Sequence, residues 1–149
     1  SNKKFIVLDG KEGKKYDGVY YSITFSPNSQ HFAYVAREGK KAFVVMDGKE
    51  GKRYDGHWFS FDYFTFSPDS QHLACEAREG NKAFIVLDGK EGKKYDGVYS
   101  PIFSPNSQHF AYRVHEGNKK FVVLDGEEEK KYDRVDAPTF SPDSQYLAY

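Results

Sequence analysis

The chain has 149 residues, of which 38% are hydrophobic, 30% charged and 17% aromatic, and its 22 basic residues balance its 22 acidic ones. A chain of this length is expected to form one domain and to bury a core without disulfides, and its single cysteine, Cys75, leaves no intramolecular pair. Zero net charge gives no field that attracts nucleic acid or anionic lipid, and no apolar run approaches the ~20 residues of a membrane helix. We therefore expect no nucleic-acid or membrane partner, and a soluble protein of the cytoplasm or the periplasm.

Three short phrases recur along the chain in a fixed order. The phrase Phe-Ser-Pro-(Asn/Asp)-Ser-Gln begins at Phe25, Phe66, Phe103 and Phe140. An apolar segment that ends in Asp-Gly closes at Gly10, Gly48, Gly89 and Gly126. The phrase Lys-(Lys/Arg)-Tyr-Asp places its tyrosines at Tyr16, Tyr54, Tyr95 and Tyr132. Four copies with a period of about 40 residues indicate a repeat architecture.

Each copy predicts a meander of four antiparallel strands. In the best-defined copy these cover residues 23–25, 31–37 and 42–46, with a fourth strand around Tyr54. Pro27 and Asn28 have the chemistry of a tight turn between the first two strands, and Gly39 and Gly48 supply the turns that follow.

Strand polarity predicts how the meanders pack. In the third strand Phe43 and Val45 lie on one face, while Val44 and Met46 lie on the other, so both faces are apolar. A two-layer sandwich would leave one polar face, whereas radially stacked sheets are covered on both sides. The fourth strand is charged, which suits an outer edge. The sequence therefore predicts an all-β fold, a β-propeller built of four-stranded blades.

The same residues resemble a known family. Residues 66–74, Phe-Ser-Pro-Asp-Ser-Gln-His-Leu-Ala, followed by residues 84–89, Phe-Ile-Val-Leu-Asp-Gly, resemble the WD40-like repeat of TolB-type β-propellers. Serine replaces the glycine that usually follows the aspartate in that family, and the last copy has Glu127-Glu128-Glu129 in place of Lys-Glu-Gly. The resemblance implies a propeller that serves as a binding or scaffolding platform.

The phrase order divides the chain into one split blade and three continuous ones. The predicted blades are residues 1–18 together with 137–149, then 19–56, 57–97 and 98–136. Closing the split blade would protect apolar faces and unpaired edges. Three arrangements fit: two chains exchanging termini in an eight-bladed ring, one chain closing on itself with four blades, or an excerpt of a longer propeller.

Catalytic and metal-binding spacings are absent from the sequence. It contains no Gly-x-Ser-x-Gly, no His-Glu-x-x-His, no phosphate-binding glycine loop and no cysteine pair, so we expect no enzyme activity, no cofactor and no metal. The serine of each Phe-Ser-Pro phrase is expected to have a structural role in its turn. His31, His72 and His109 occupy the same position in three copies and are expected to lie too far apart to share a metal ion.

The strongest departure from the repeat is an aromatic insertion after Tyr54. It contains His57, Trp58, Phe59 and Tyr63, and in a propeller it shares one face with the ends of the second strands, which carry Arg37, Arg78 and His115. Exposed aromatic residues and arginines are typical of protein-recognition hot spots. These seven residues are the predicted binding site, although packing of Trp58 and Phe59 against the ring is the competing interpretation.

Two functions remain open on the sequence. The first is a non-catalytic scaffold or a protein-binding and assembly module, with a protein, a peptide or a second copy as partner. The alternative is a ligand-binding or hydrolase-associated propeller domain with its site at the ring mouth. In both cases the phenylalanines that open the Phe-Ser-Pro phrase are expected in the core.

Overall fold

A computed structural model describes residues 2–20, 23–55 and 64–149. These residues contain no helix, and hence none that could cross a membrane. Their strands form five antiparallel sheets, numbered here in chain order. Sheet 1 consists of β1 (Val7–Leu8) and β2 (Lys11–Glu12). Sheet 2 consists of β3 (Gly18–Val19), β4 (Thr24–Phe25), β5 (Phe32–Glu38), β6 (Lys41–Met46), β7 (Lys49–Glu50) and β8 (Tyr54–Asp55).

The other three sheets follow the same plan. Sheet 3 consists of β9 (Phe64–Phe66), β10 (Leu73–Glu79), β11 (Lys82–Leu87) and β12 (Lys90–Glu91). Sheet 4 consists of β13 (Gly97–Phe103), β14 (Phe110–Glu116), β15 (Lys119–Leu124) and β16 (Glu127–Glu128). Sheet 5 consists of β17 (Thr139–Phe140) and β18 (Leu147–Ala148). The predicted all-β fold of repeated antiparallel sheets is confirmed.

A two-residue turn sets the register of each outer hairpin. Asp47 and Gly48, between β6 and β7, both have positive φ, 49° and 79°, as the tight turns of β-hairpins require. The Asp47 carboxylate also accepts a 3.0 Å hydrogen bond from the amide of Phe32, which ties the turn to the start of β5. The Asp-Gly phrase is thus a hairpin signal, and the same conformation recurs at residues 9–10, 88–89 and 125–126.

The register between the two central strands is the same in the three central sheets. In sheet 2, Ala33 is opposite Met46 and Tyr34 is opposite Val45. The equivalent pairs in the next two sheets are Ala74 with Leu87, Cys75 with Val86, Ala111 with Leu124 and Tyr112 with Val123. The repeat phrases therefore align the blades residue by residue.

Apolar clusters fill the spaces between consecutive sheets, as the two-faced strand pattern predicted. Phe43 and Val45 are fully buried against sheet 1 together with Tyr16, while Val44, on the opposite face of β6, packs against a cluster that includes Phe84 of sheet 3. Two further clusters, around Phe121 and around Val122, join sheets 3 to 4 and 4 to 5. Each central sheet is thus covered on both faces.

The expectation that all four phrase-opening phenylalanines are core residues is wrong for Phe25. Its side chain is 53% exposed, because no sheet formed by the described residues covers that side of β4. Phe103 and Phe140 do pack against apolar clusters, although both remain partly accessible, and Phe66 is partly buried in β9. Burial at this position therefore depends on a neighbouring sheet rather than on the turn alone.

Sheets 1 and 5 are half-sheets that remain separate. Within residues 2–20, 23–55 and 64–149, strand β1 pairs with β2, strand β18 pairs with β17, and no pairing joins β1 to β18. This structure therefore does not contain the four-bladed closure of one chain on itself.

Candidate functional site

A charged contact links neighbouring sheets at three successive interfaces. The hydroxyl of Tyr16 donates a 3.1 Å hydrogen bond to Glu50 of sheet 2, and Lys14 forms an ion pair with the same carboxylate at 2.7 Å. The equivalent trios at the next two interfaces are Tyr54 and Lys52 with Glu91, and Tyr95 and Lys93 with Glu128. The bond from Lys93 is the main reason why the pKa of Glu128 falls to about 2.

A second recurring contact joins the turns of neighbouring sheets. The backbone amide of Asn28 donates a 3.0 Å hydrogen bond to the hydroxyl of Ser70, in the turn of the next sheet. The same bond runs from Asp69 to Ser107 and from Asn106 to Ser144. The serine of each Phe-Ser-Pro phrase instead forms hydrogen bonds within its own turn. Ser26 donates to the side chain of Asn28 at 2.7 Å and accepts from the backbone amide of His31 at 3.0 Å. The serines thus have the structural role that the sequence predicts.

The halves of this interface that remain at the two ends of the chain are exposed. Tyr132 is 41% exposed, whereas its equivalents Tyr16, Tyr54 and Tyr95 are at most 7% exposed. At the other end, Val7 is 56% exposed, whereas its equivalent Val45 is fully buried. We call the exposed surface of sheet 5 and of the segment around Tyr132 the rear face. The exposed surface of sheet 1 and β4 is the front face. The two faces carry complementary halves of a contact that the chain makes internally three times.

Three residues of the predicted binding site lie in the described part of the chain. Arg37, Arg78 and His115 occupy the same position near the ends of β5, β10 and β14. Arg37 donates a 2.7 Å hydrogen bond to the carbonyl of Gly39 in its own turn, and Arg78 lies 3.4 Å from the buried carboxylate of Glu76. Each arginine thus has a partner within its own sheet. The other predicted residues, His57, Trp58, Phe59 and Tyr63, lie outside the described residues.

The repeated histidines hold the Asp-Gly turns. His31 Nδ1 lies 2.7 Å from a carboxylate oxygen of Asp47, and the same pair recurs as His72 with Asp88 and His109 with Asp125. Two of the rings also stack on a phenylalanine of the next sheet, His72 on Phe103 and His109 on Phe140. In the described ranges no group of three or more His, Cys, Asp or Glu side chains is arranged to hold a metal ion.

A cavity of about 790 Å³ opens between sheets 2 and 3. Its apolar walls include Val44, Leu73, Cys75 and Val86, and Tyr54 lies among them. The two Asp-Gly turns, with the pairs of His31 and His72, lie at the cavity, whereas Arg37 and Arg78 lie at the far ends of their strands. This cavity is therefore separate from Arg37 and Arg78 of the predicted binding site.

The equivalent position between sheets 3 and 4 has a cavity of only about 400 Å³. The difference follows from the residues at two aligned positions. Tyr112 and Phe110 occupy the positions that Cys75 and Leu73 hold one sheet earlier. Burial raises the pKa of the Cys75 thiol to about 12, so the group is protonated and unreactive at neutral pH.

Two features of these surfaces were missed from the sequence, although each has a signal there. The tyrosine-to-glutamate contact joins two repeated phrases, Lys-(Lys/Arg)-Tyr-Asp and Asp-Gly-Lys-Glu-Gly, whose proximity in space only the stacking of the sheets reveals. The cavity could have been found by aligning Cys75 with Tyr34 and Tyr112, since it is the small residue in an aromatic column.

Comparison with family models and with curated proteins gives no match. Among solved structures, TolB from Acinetobacter baumannii is similar over 88% of this chain with a TM-score of 0.57 and 16% identity, and the chain spans 37% of the length of TolB. Hydrazine synthase of Kuenenia stuttgartiensis is similar over 93% of this chain and 46% of its own, with 14% identity and a TM-score of 0.47. The likeness to TolB agrees with the stacked antiparallel sheets and with the repeat that the sequence contains. The chain therefore has a TolB-like β-propeller fold.

Proposed function

We propose that this chain is a non-catalytic assembly module whose front and rear faces join a second copy of the same chain, head to tail. The observation that supports the proposal is the internal repetition of one interface, whose two unmatched halves are exposed at the two ends. Because a front face fits a rear face and not another front face, the contact is heterologous, and it closes into a ring when the rotation permits. Two chains would then supply eight blades.

The backbone pairing at the joint follows from the register of the complete sheets. Met46 pairs with Ala33, and Val45 pairs with Tyr34. The equivalent residues at the ends of the chain are Leu8 with Ala148 and Val7 with Tyr149. Pairing β1 of one copy with β18 of another in this register would complete a four-stranded sheet and satisfy two exposed strand edges.

Side chains at the two faces extend the same correspondence. Tyr132 and Lys130 of one copy would meet Glu12 of the other, as Tyr95 and Lys93 meet Glu128 within the chain. The ring of Phe25 would cover Tyr146, as Phe140 covers His109. Val7, Phe25 and Tyr132 are each about half exposed in one chain, so burying each of them contributes on the order of 1 kcal/mol.

The joint can be trapped by a disulfide in the proposed register. Leu8→Cys and Ala148→Cys in one chain would lie directly opposite each other across the joint. They correspond to Met46 and Ala33, which form a pair without mutual backbone hydrogen bonds, because the bond from Asp47 to Phe32 belongs to the neighbouring pair. The Cβ atoms of such a pair lie about 4.5 Å apart, within the range of a disulfide. Cys75 is buried and does not compete. We expect mild oxidation to give covalent two-chain species.

A matched control replaces Ala148→Cys by Gln145→Cys, an exposed turn position outside the register. This control should stay largely uncrosslinked. A bridge within a single chain, or equal crosslinking of the control, would contradict the proposed joint.

The alternative of a ligand site at the ring mouth, built from Arg37, Arg78, His57 and His115, has no specific observation in its favour, because both arginines are engaged within their own sheets. The aromatic insertion remains a predicted recognition surface. If it is one, Trp58→Ala should weaken partner binding by about 2 kcal/mol or more and leave the urea midpoint of the chain unchanged. A large loss of stability would assign Trp58 to packing instead.

A further inference from the structure

We infer that the cavity between sheets 2 and 3 binds a small, neutral phenol, whose ring takes the place that a tyrosine side chain fills at the equivalent positions of this chain. The site is independent of the proposed joint, because its walls belong to two central sheets and to neither end face.

The inference starts from three aligned positions that face three aligned tyrosines. Tyr34 lies against Tyr16 in the cluster between sheets 1 and 2, with ring centroids 6.4 Å apart. Tyr112 and Tyr95 share the cluster between sheets 3 and 4. Between sheets 2 and 3 the partner of Tyr54 is Cys75, which has no ring. The repeated architecture therefore provides space for an aromatic ring at this interface, and the chain's own residue at the aligned position does not fill it.

The volume and apolar walls of the cavity can accommodate an aromatic ring. The cavity is about twice the size of its equivalent, about 790 Å³ against about 400 Å³, and it falls in the range of small-molecule sites. Val44, Leu73 and Val86 offer apolar contact. The tyrosines at the equivalent positions also lie near a second ring, since the centroid of Tyr34 is 6.0 Å from that of Phe32 and the centroid of Tyr112 is 5.9 Å from that of Phe110. Leu73 at that position leaves further room.

A hydroxyl group on the ring has a defined partner. Tyr54 donates its own hydrogen to Glu91 at 3.1 Å, so its hydroxyl oxygen is free to accept a hydrogen bond from a ligand. Within the chain, Tyr34 lies beside Tyr16 in the same way and, after burial, is the main reason why the pKa of Tyr16 rises. The described lining of the cavity carries the carboxylates of Asp47, Glu50 and Asp88 against the ammonium groups of Lys49 and Lys52, so it offers no excess of positive charge to hold a phenolate or a carboxylate. A neutral phenol is therefore favoured over an anionic ring.

Binding is measured with p-cresol, which has the shape of a tyrosine side chain, and with toluene, which lacks only the hydroxyl. We expect one p-cresol per chain by calorimetry and a rise in melting temperature of about 3–5 °C at tenfold excess over Kd. Toluene should bind at least about 5-fold more weakly. Tyr54→Phe keeps the ring but removes the acceptor, so it should weaken p-cresol and leave toluene unchanged.

Two reciprocal substitutions serve as matched controls. Cys75→Tyr should fill the cavity, raise the melting temperature without ligand and weaken p-cresol at least about 10-fold. Tyr112→Cys should open a second cavity between sheets 3 and 4 and raise the stoichiometry from one to two. Absence of p-cresol binding to the unmodified chain would overturn the inference, since the cavity is then already occupied by the chain. Equal affinity for toluene, or unchanged binding in a folded Cys75→Tyr variant, would overturn it as well.

Discussion

Two tyrosines at equivalent positions of the repeat should differ sharply in their contribution to folding. Tyr95 is 2% exposed, and its ring centroid lies 5.8 Å from that of Phe121 in an edge-to-face contact. Its hydroxyl also donates to Glu128 at 3.0 Å. Tyr132 occupies the same place in the next copy but is 41% exposed, because no further sheet within residues 2–20, 23–55 and 64–149 covers it.

The size of the difference follows from burial. Truncating a buried aromatic side chain lowers the free energy of unfolding by about 3–5 kcal/mol. Tyr95→Ala also removes one hydrogen bond to Glu128, although Glu128 keeps its ion pair with Lys93. We therefore expect Tyr95→Ala to lower the free energy of unfolding by about 4 kcal/mol and Tyr132→Ala to lower it by about 1 kcal/mol in a single chain. A domain with a stability of about 5–15 kcal/mol can lose this much and still fold.

The assay is urea unfolding followed by circular dichroism at two protein concentrations. At low concentration the two variants should differ by several kcal/mol. At high concentration Tyr132→Ala should become more costly, because the proposed joint buries Tyr132. Equal losses of unfolding free energy from the two substitutions at low concentration would refute the assignment of Tyr95 as buried and Tyr132 as exposed, on which the stacking of the sheets rests.

Three further predictions concern the inter-sheet contacts. The folded pKa of Glu128 is about 2 against an ordinary 4.5, so its contribution to the free energy of unfolding is present above about pH 4.5 and is lost as the pH falls toward 2. In that window the urea midpoint of Glu128→Gln should depend less on pH than that of the unmodified chain. The exposed Glu127→Gln serves as the control. Ser107→Ala removes the acceptor of the hydrogen bond from the Asp69 amide and should lower the free energy of unfolding by about 1 kcal/mol in denaturant melts. Ser29→Ala, at the exposed equivalent position, should lower it little in a single chain. Equal losses would contradict the hydrogen bond between neighbouring turns. Phe103→Ala should destabilise more than Phe25→Ala, since only Phe103 packs against both His72 and Phe110; the reverse order in thermal melts would show that Phe25 is covered in the single chain.

The sequence was sufficient to predict the fold because its signals are local and repeated. Asp47 and Gly48 specify a tight hairpin by themselves, and the apolar residues on both faces of β6 imply neighbours on both sides. Phe25 was misassigned because its burial depends on a sheet that lies beyond the local pattern.

The candidate sites were harder to predict because they depend on contacts between copies. Glu50 meets Tyr16 only after the sheets stack, across 34 positions of sequence. The cavity at Cys75 is defined by a side chain that is smaller than its equivalents, which becomes visible only when aligned positions are compared in space. The predicted roles of Trp58 and its neighbours stay predictions.

Native mass spectrometry of the 149-residue chain at micromolar concentration tests the central claim most directly. Head-to-tail assembly through the two open faces predicts a species with twice the 17.1 kDa mass of one chain. In Tyr132→Ala, which removes one half of the joint, the population of the two-chain species should fall in favour of the single chain. A single-chain mass at every concentration, with the half-sheets intact, would contradict the account.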